Sequence, residues 1–314
     1  MMADAKAVKW SAFALIALVA CAGAFLLSDS ADSSDAASSG TTGNLTWTLD
    51  DSGGLIISGT GKMRDYTSYD PAPWGTTATS VSLSPGITHI GNYAFYKCTS
   101  LTSINIPDSV TSIGNAAFNR CTSLTSINIP DGVTSIGNGA FSGCTSLTSI
   151  NIPDSVTRIG DAAFSGCTSL TAVDLPDKVQ SIPRDCFNGC TSLTSINIPD
   201  SVTSIGNAAF GGCTSLTSIT IPDGVTKIGD SAFDGLSFAS SDGTAVKPTA
   251  ANLAGAIWTR DSLSDPLVAH VWIHIHEDAD ISGASASILQ VVIVLTLVAI
   301  ILWIAVDVLR KRND

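Results

Sequence analysis

Through the middle of this 314-residue chain the apolar positions return at a fixed step of 23 rather than at helical spacing. In Leu101-Thr102-Ser103-Ile104-Asn105-Ile106, Ile104 and Ile106 share one face and Ser103 and Asn105 the other, the period-two pattern of a half-buried strand. Pro107 ends the strand because it has no N–H to give to a ladder. Asp108-Ser109 turns the chain, Val110 and Ile113 form a second apolar pair, and Gly114 allows another turn. Ala117-Phe118 then fits one helical turn with the phenylalanine inward, and Cys121 fills a small slot before the next strand.

The unit recurs almost unchanged. Cys98, Cys121, Cys144, Cys167, Cys190 and Cys213 keep the step, as do Leu101, Leu124, Leu147, Leu170, Leu193 and Leu216, and Phe95 through Phe233. One such unit cannot bury its apolar side chains alone. Stacking copies sets Leu on Leu and Phe on Phe in a continuous core. Seven units over residues 79–236 predict a mainly β solenoid of about seven 23-residue coils, a rod on the order of 35 Å long at the ~4.8 Å spacing of paired strands.

The flanks read as terminal caps. Asn44–Gly59 predicts a hairpin, with Trp47, Tyr66, Tyr69 and Trp74 available to cover the first coil. Leu236-Ser237-Phe238, the turn at Asp242-Gly243 and Thr249–Gly255 predict a closing hairpin and short helix. At the amino end, Lys6 and Lys9 precede an apolar run to Leu27, the form of a secretion signal or an uncleaved anchor; Ala22-Gly23-Ala24 offers a cleavage site, and Leu18-Val19-Ala20-Cys21 a lipobox. At the other end, the apolar run Ile288–Val306 is long enough to cross a bilayer and is followed by Arg310-Lys311-Arg312, which puts the tail inside the cell and the repeats outside. The expected divisions are a signal peptide or signal anchor (1–27), a linker (28–43), an N-terminal cap (44–78), the solenoid (79–236), a C-terminal cap (237–277), a linker (278–287), a transmembrane helix (288–309) and a cytoplasmic tail (310–314).

Charge narrows the partner. Residues 28–287 carry 24 of the 27 acidic side chains and 10 of the 15 basic ones, a balance that disfavours nucleic acid and anionic lipid. The cysteine column is expected as buried free thiols, since equivalent residues on stacked coils point the same way; the local disulfide candidate is Cys186 with Cys190. His270, His274 and His276, with Glu277, Asp278 and Asp280, are the metal candidates, set against the reading of a polar strand face around Trp272. No G-x-S-x-G, phosphate loop, dinucleotide fingerprint or H-E-x-x-H occurs, so neither enzymatic activity nor a cofactor is expected.

The L-x-x-I-x-I-P, I-G-x-x-A-F and F-x-x-C elements closely resemble the BspA-type leucine-rich repeat of bacterial, archaeal and protist surface proteins. The resemblance covers about half the chain and implies a right-handed solenoid with a role in adhesion or protein–protein contact, the partner being an extracellular protein or glycan. A structural spacer without a ligand is the alternative. As a binding surface the outward strand face is the candidate, through Asn105, Asn128, Asn151, Asp174 and Asn197. The fifth unit departs most from consensus, with Asp174, Lys178, Gln180, Pro183 and Arg184, and makes Lys178 a further candidate.

Overall fold

The computed structural model describes residues 38–239, 245–246, 248–253, 256–259 and 267–270. The chain opens with β1 (Ser38–Thr42), β2 (Leu45–Leu49), β3 (Gly54–Gly59) and the two-residue β4 (Gly61–Lys62). Each coil then contributes two strands, of four residues each in the first coil and one longer and one shorter thereafter. They are β5 (Ser80–Leu83) and β6 (Ile87–Ile90), β7 (Ser103–Asn105) and β8 (Ser112–Ile113), β9 (Ser126–Asn128) and β10 (Ser135–Ile136), and β11 (Ser149–Asn151) and β12 (Arg158–Ile159). The series ends with β13 (Ala172–Asp174) and β14 (Ser181–Ile182), β15 (Ser195–Asn197) and β16 (Ser204–Ile205), and β17 (Ser218–Ile221) and β18 (Lys227–Ile228). The closing elements are β19 (Phe238–Ala239), β20 (Ala245–Val246), the four-residue helix α1 (Ala250–Leu253), β21 (Ala256–Thr259) and β22 (Leu267–His270).

Equivalent strands pair in parallel and in register except between β7 and β9 and between β12 and β14, so Ser149, Ile150 and Asn151 sit beside Ser126, Ile127 and Asn128 on one side and Ala172, Val173 and Asp174 on the other. The stack has about eight turns rather than seven. The extra turn comes from the cap, whose β3 runs parallel to β5 and extends the ladder by one rung. The expected hairpin at 44–59 is β2–β3. A third strand, β1, pairs antiparallel with β2, so order begins at Ser38, inside the stretch expected as linker. Its signal was faint because Ser38-Ser39-Gly40-Thr41-Thr42 has no apolar alternation; backbone pairing and the Thr42 Oγ1 hydrogen bond to Tyr66 (2.6 Å) hold it.

The core is a set of columns. Leu101, Leu124, Leu147, Leu170, Leu193 and Leu216 are fully buried. The phenylalanines stack from Phe95 to Phe233 with ring centroids 5.2–5.6 Å apart and planes within 17° of parallel. Trp74 closes this stack at the first coil, 6.0 Å from Phe95, with its Nε1–H donated to the Ala94 carbonyl. Phe238 and Trp258 close the other end edge-on. Trp47 and Tyr66 are buried with Trp74 as expected, but Tyr69 is 98% exposed and covers nothing. At the far end β21 pairs antiparallel with β17 and covers the last edge of the long ladder, which would otherwise present unpaired backbone for strand addition.

The seven described cysteines are free and buried. From Cys121 onward each repeat thiol donates to the phenylalanine carbonyl 26 residues earlier, at 3.1–3.2 Å. Burial pushes the Cys98, Cys144 and Cys213 thiols up to about 12, and raises those of Cys121, Cys167, Cys186 and Cys190 in the same direction. Cys186 and Cys190 are both thiols.

Among the described residues no helix is long and apolar enough to cross a membrane. The segments 1–27 and 288–309, like His274 and His276, lie outside the described residues. Among the described residues no group of three or more His, Cys, Asp or Glu is placed to hold a metal.

Candidate functional site

Two faces compete as the site. On the long-strand face, Asn105, Asn128, Asn151, Asp174 and Asn197 are all exposed, and Asp174 lies in register between Asn151 and Asn197. This surface is flat and polar. Lys178 is not on it. It follows the proline turn at Pro176-Asp177 and lies against the short-strand ladder.

Among the described residues the stack is interrupted twice, between β7 and β9 in the long-strand ladder and once in this second, short-strand ladder. Strands β4, β6, β8, β10 and β12 form one sheet and β14, β16 and β18 another, with no pairing between β12 and β14. The cause is one residue. The turn after each short strand carries a glycine whose Cα lies against the preceding coil's backbone: a Cβ on Gly137 would come within 2.6 Å of the Asn115 nitrogen, and one on Gly206 within 2.5 Å of the Arg184 nitrogen. Gly137, Gly206 and Gly229 each donate their N–H to the isoleucine carbonyl of the coil before, at 2.8–2.9 Å. Pro183 occupies this column in the fifth coil. It brings a ring where no Cβ fits and has no N–H to donate to Ile159. The fourth and fifth coils therefore part at this corner, and Ile159 is only half-buried where most of its counterparts are buried.

A cleft of about 1190 Å³ opens at the break. Its lining includes Asn138, Thr157, Arg158, Ile159 and Asp161 from one side and Asp177, Lys178, Gln180, Pro183 and Thr203 from the other. A smaller groove of about 420 Å³ continues from it along the ladder to His89 and shares Asn138, Arg158, Ile159 and Gly160 with it. Arg158 and Lys178 are exposed cations on the cleft's rim. Asp161 is engaged at 3.8 Å by Arg184 Nε, whose Nη1 lies 3.7 Å from Asp185. The cleft thus offers charge of both signs, half-buried isoleucine and proline, and backbone freed from the ladder. Extended polypeptide suits such a surface because it can satisfy freed backbone groups while its side chains meet fixed charges.

Three of the five fifth-coil departures, Lys178, Gln180 and Pro183, line this cleft. Sequence reading missed Arg158, although it stands alone in a column of Ser112, Ser135, Ser181 and Ser204 until Lys227. An asparagine ladder also forms away from the long-strand face. The ladder that forms runs through Asn92, Asn115, Asn138 and Asn207, where each side-chain oxygen accepts the N–H of the residue one coil on, at 2.6–3.2 Å. The rung is missing at Arg184, which has no side-chain acceptor. The lost proline N–H and the lost asparagine acceptor sit side by side, at Pro183 and Arg184.

The family model described as BspA type Leucine rich repeat region matches residues 74–193 and 134–243, with six copies. A leucine-rich repeat protein from Bacteroides ovatus is 28% identical over 68% of this chain and 58% of its own, with a TM-score of 0.55. The T. pallidum Leucine Rich Repeat protein is 29% identical over 57% of this chain and 91% of its own, with a TM-score of 0.48. Among curated proteins, none matches.

Proposed function

This chain belongs to the BspA-type leucine-rich repeat family, and we propose that it is a cell-surface binding protein that holds an extended segment of an extracellular protein in the cleft at Pro183. The observation that carries this reading is the coincidence of the short-strand ladder break with the least regular coil. Of the departures from the repeat, Arg158, Lys178, Gln180 and Pro183 line one opening, and Arg184 reaches its Asp161. A column that excludes a Cβ by steric overlap accepts proline only at a cost to the stack, and strain of this kind collects at functional sites. The family's general role in protein contact agrees with a protein partner.

Surface display rests on the two ends of the chain. The apolar run Ile288–Val306 with Arg310-Lys311-Arg312 behind it is proposed as the anchor, with the solenoid outside the membrane and Lys6 and Lys9 in the signal region.

The test begins with the full chain displayed on cells and a panel of host-surface and extracellular-matrix proteins. Paired reversal of Arg158→Glu and Lys178→Glu is expected to lower the affinity of a bound partner by about tenfold or more, the scale of two lost charge-assisted contacts. Asn105→Ala and Asn151→Ala on the strand face are expected to leave it unchanged. The opposite pattern would move the site to the strand face, and a partner insensitive to both sets would remove the cleft from the account.

A further inference from the structure

A different surface, on the turn side of the first two coils, departs from the repeat in its own way. The position before each repeat cysteine, and before Leu236 in the last coil, has a left-handed backbone. Glycine fills it at Gly143, Gly166, Gly189, Gly212 and Gly235, with φ between 71° and 87°. In the first two coils it is filled instead by Lys97 and Arg120, both at φ 61°. A side chain is unfavourable in this conformation and glycine is not. The first coils therefore carry two cations where the rest of the stack carries the residue that best suits the backbone.

These cations have matching surroundings. Both are exposed, and among the described residues neither is in an ion pair. Lys97 and Arg120 occupy the same column on adjacent coils, where the Lys97 N–H donates to the Asn119 carbonyl at 2.8 Å. The Arg120 stem leans over Gly143, where an added Cβ would lie 3.2 Å from the Arg120 Cγ. Lys97 Nζ stands 5.0 Å from the centre of the Tyr96 ring, and Tyr96 packs edge-on to Tyr93 at 5.2 Å. Both tyrosines are half-buried, and later coils have Asn119 and Ser142, or Ala116 and Gly139, in their places. Residues 92–100, 115–123 and 138–146 contain no carboxylate, in a protein that is acidic overall. The nearby Asp65 accepts the Asn92 N–H and faces His89 at 3.7 Å.

We propose that this patch binds an acidic saccharide, with Tyr93 and Tyr96 as the stacking surface for the sugar ring and Lys97 and Arg120 as the pair that holds its carboxylate. Aromatic rings give a pyranose an apolar face to lie on, and their hydroxyls can meet its polar edge. Two cations on adjacent rungs of one column suit the two oxygens of a single carboxylate. An all-protein partner would gain less from an aromatic surface this small, flanked by one sign of charge. The site is separate from the Pro183 cleft, so either can fail without the other.

The test uses the full chain in detergent micelles, titrated by calorimetry with 3′-sialyllactose, a hyaluronan oligosaccharide, neutral lactose and a polyglutamate peptide. At least one acidic saccharide is expected to bind saturably and to weaken as salt is raised, with lactose weaker by about tenfold or more. The double variant Lys97→Gly, Arg120→Gly is expected to lose binding by about tenfold or more while its melting temperature stays level or rises, because glycine is what later coils hold there. Tyr96→Asn, which copies the second coil, is expected to weaken the saccharide and leave folding intact. Absence of saturable saccharide binding, equal binding of lactose, polyglutamate binding with the same variant dependence, or saccharide binding indifferent to both variants would each overturn the proposal.

Discussion

Phe141→Ala is the sharpest test of how the solenoid is held. Phe141 is fully buried, with its ring between Phe118 at 5.3 Å and Phe164 at 5.6 Å, in near-parallel planes. Truncation removes a buried aromatic side chain and leaves a void that stacked neighbours on rigid rungs fill poorly. A loss of about 3–5 kcal/mol is expected for such a change. That includes two ring contacts of about 0.5–1.5 kcal/mol each. Each coil touches only its neighbours, so the loss falls on two interfaces at mid-stack. With an m-value of about 2.5 kcal/mol per molar urea, the midpoint falls by about 1.5 M. The assay is urea unfolding read by circular dichroism for the ladders and by fluorescence for the caps, where Trp47 and Trp74 mark one end and Trp258 the other. The two signals should coincide in the parent chain and separate in the variant as the halves uncouple. A loss below about 1 kcal/mol, or coincident signals in the variant, would refute a continuous ring stack as the source of cohesion.

Three further outcomes follow from the same packing. Stability should be level below pH 9 and fall above it: unfolded thiols ionise near 9.0 while Cys98, Cys144 and Cys213 stay protonated to about 12, so the unfolded state binds fewer protons and each thiol contributes a decline of up to about 1.4 kcal/mol per pH unit. Thermal melts from pH 7 to 10.5 check this, and Cys144→Ala should give a shallower decline. Asn138→Ala should cost about 1 kcal/mol, because the Asp161 N–H loses its acceptor at 2.9 Å, whereas Asn151→Ala on the exposed strand face should cost less than about 0.5 kcal/mol in the same denaturant series. Truncation before Ile288 should release the protein from the membrane fraction into the medium, and release of the full chain to the same extent would contradict the proposed anchor.

Much of the fold was legible because each column of the core is a column of the sequence. Leu101 and its copies, the phenylalanines and the cysteines state their own spacing, and proline marks the end of each long repeat strand from β7 to β17. The extra turn was not legible, since β3 lies 26 rather than 23 residues before its partner in β5 and shares no repeat motif with it. The cleft was half legible. The fifth coil stood out by composition, but its meaning depends on a steric fact about Gly137 and Gly206 that no residue type announces: their Cα atoms lie against the neighbouring coil's backbone, so a proline in that column parts two turns. Which asparagines form a ladder was not legible for a related reason. Asn105 and Asn115 are both repeated polar positions, and only the backbone direction decides which one finds an N–H on the next coil. The left-handed column was visible as glycine giving way to Lys97 and Arg120, yet its significance needs the φ angle.

The most direct test of the central claim is a photocrosslinking comparison on the displayed full chain. A photoreactive residue is placed at Gln180 in the cleft or at Asn128 on the strand face, and cells are exposed to the extracellular protein panel. The account predicts a discrete, saturable adduct from position 180 that unlabelled partner competes away, and none from position 128. Adducts from position 128 alone would contradict a protein-binding cleft and move the site to the strand face, and none from either position while the chain remains folded and displayed would contradict it in favour of a solenoid that serves as a spacer.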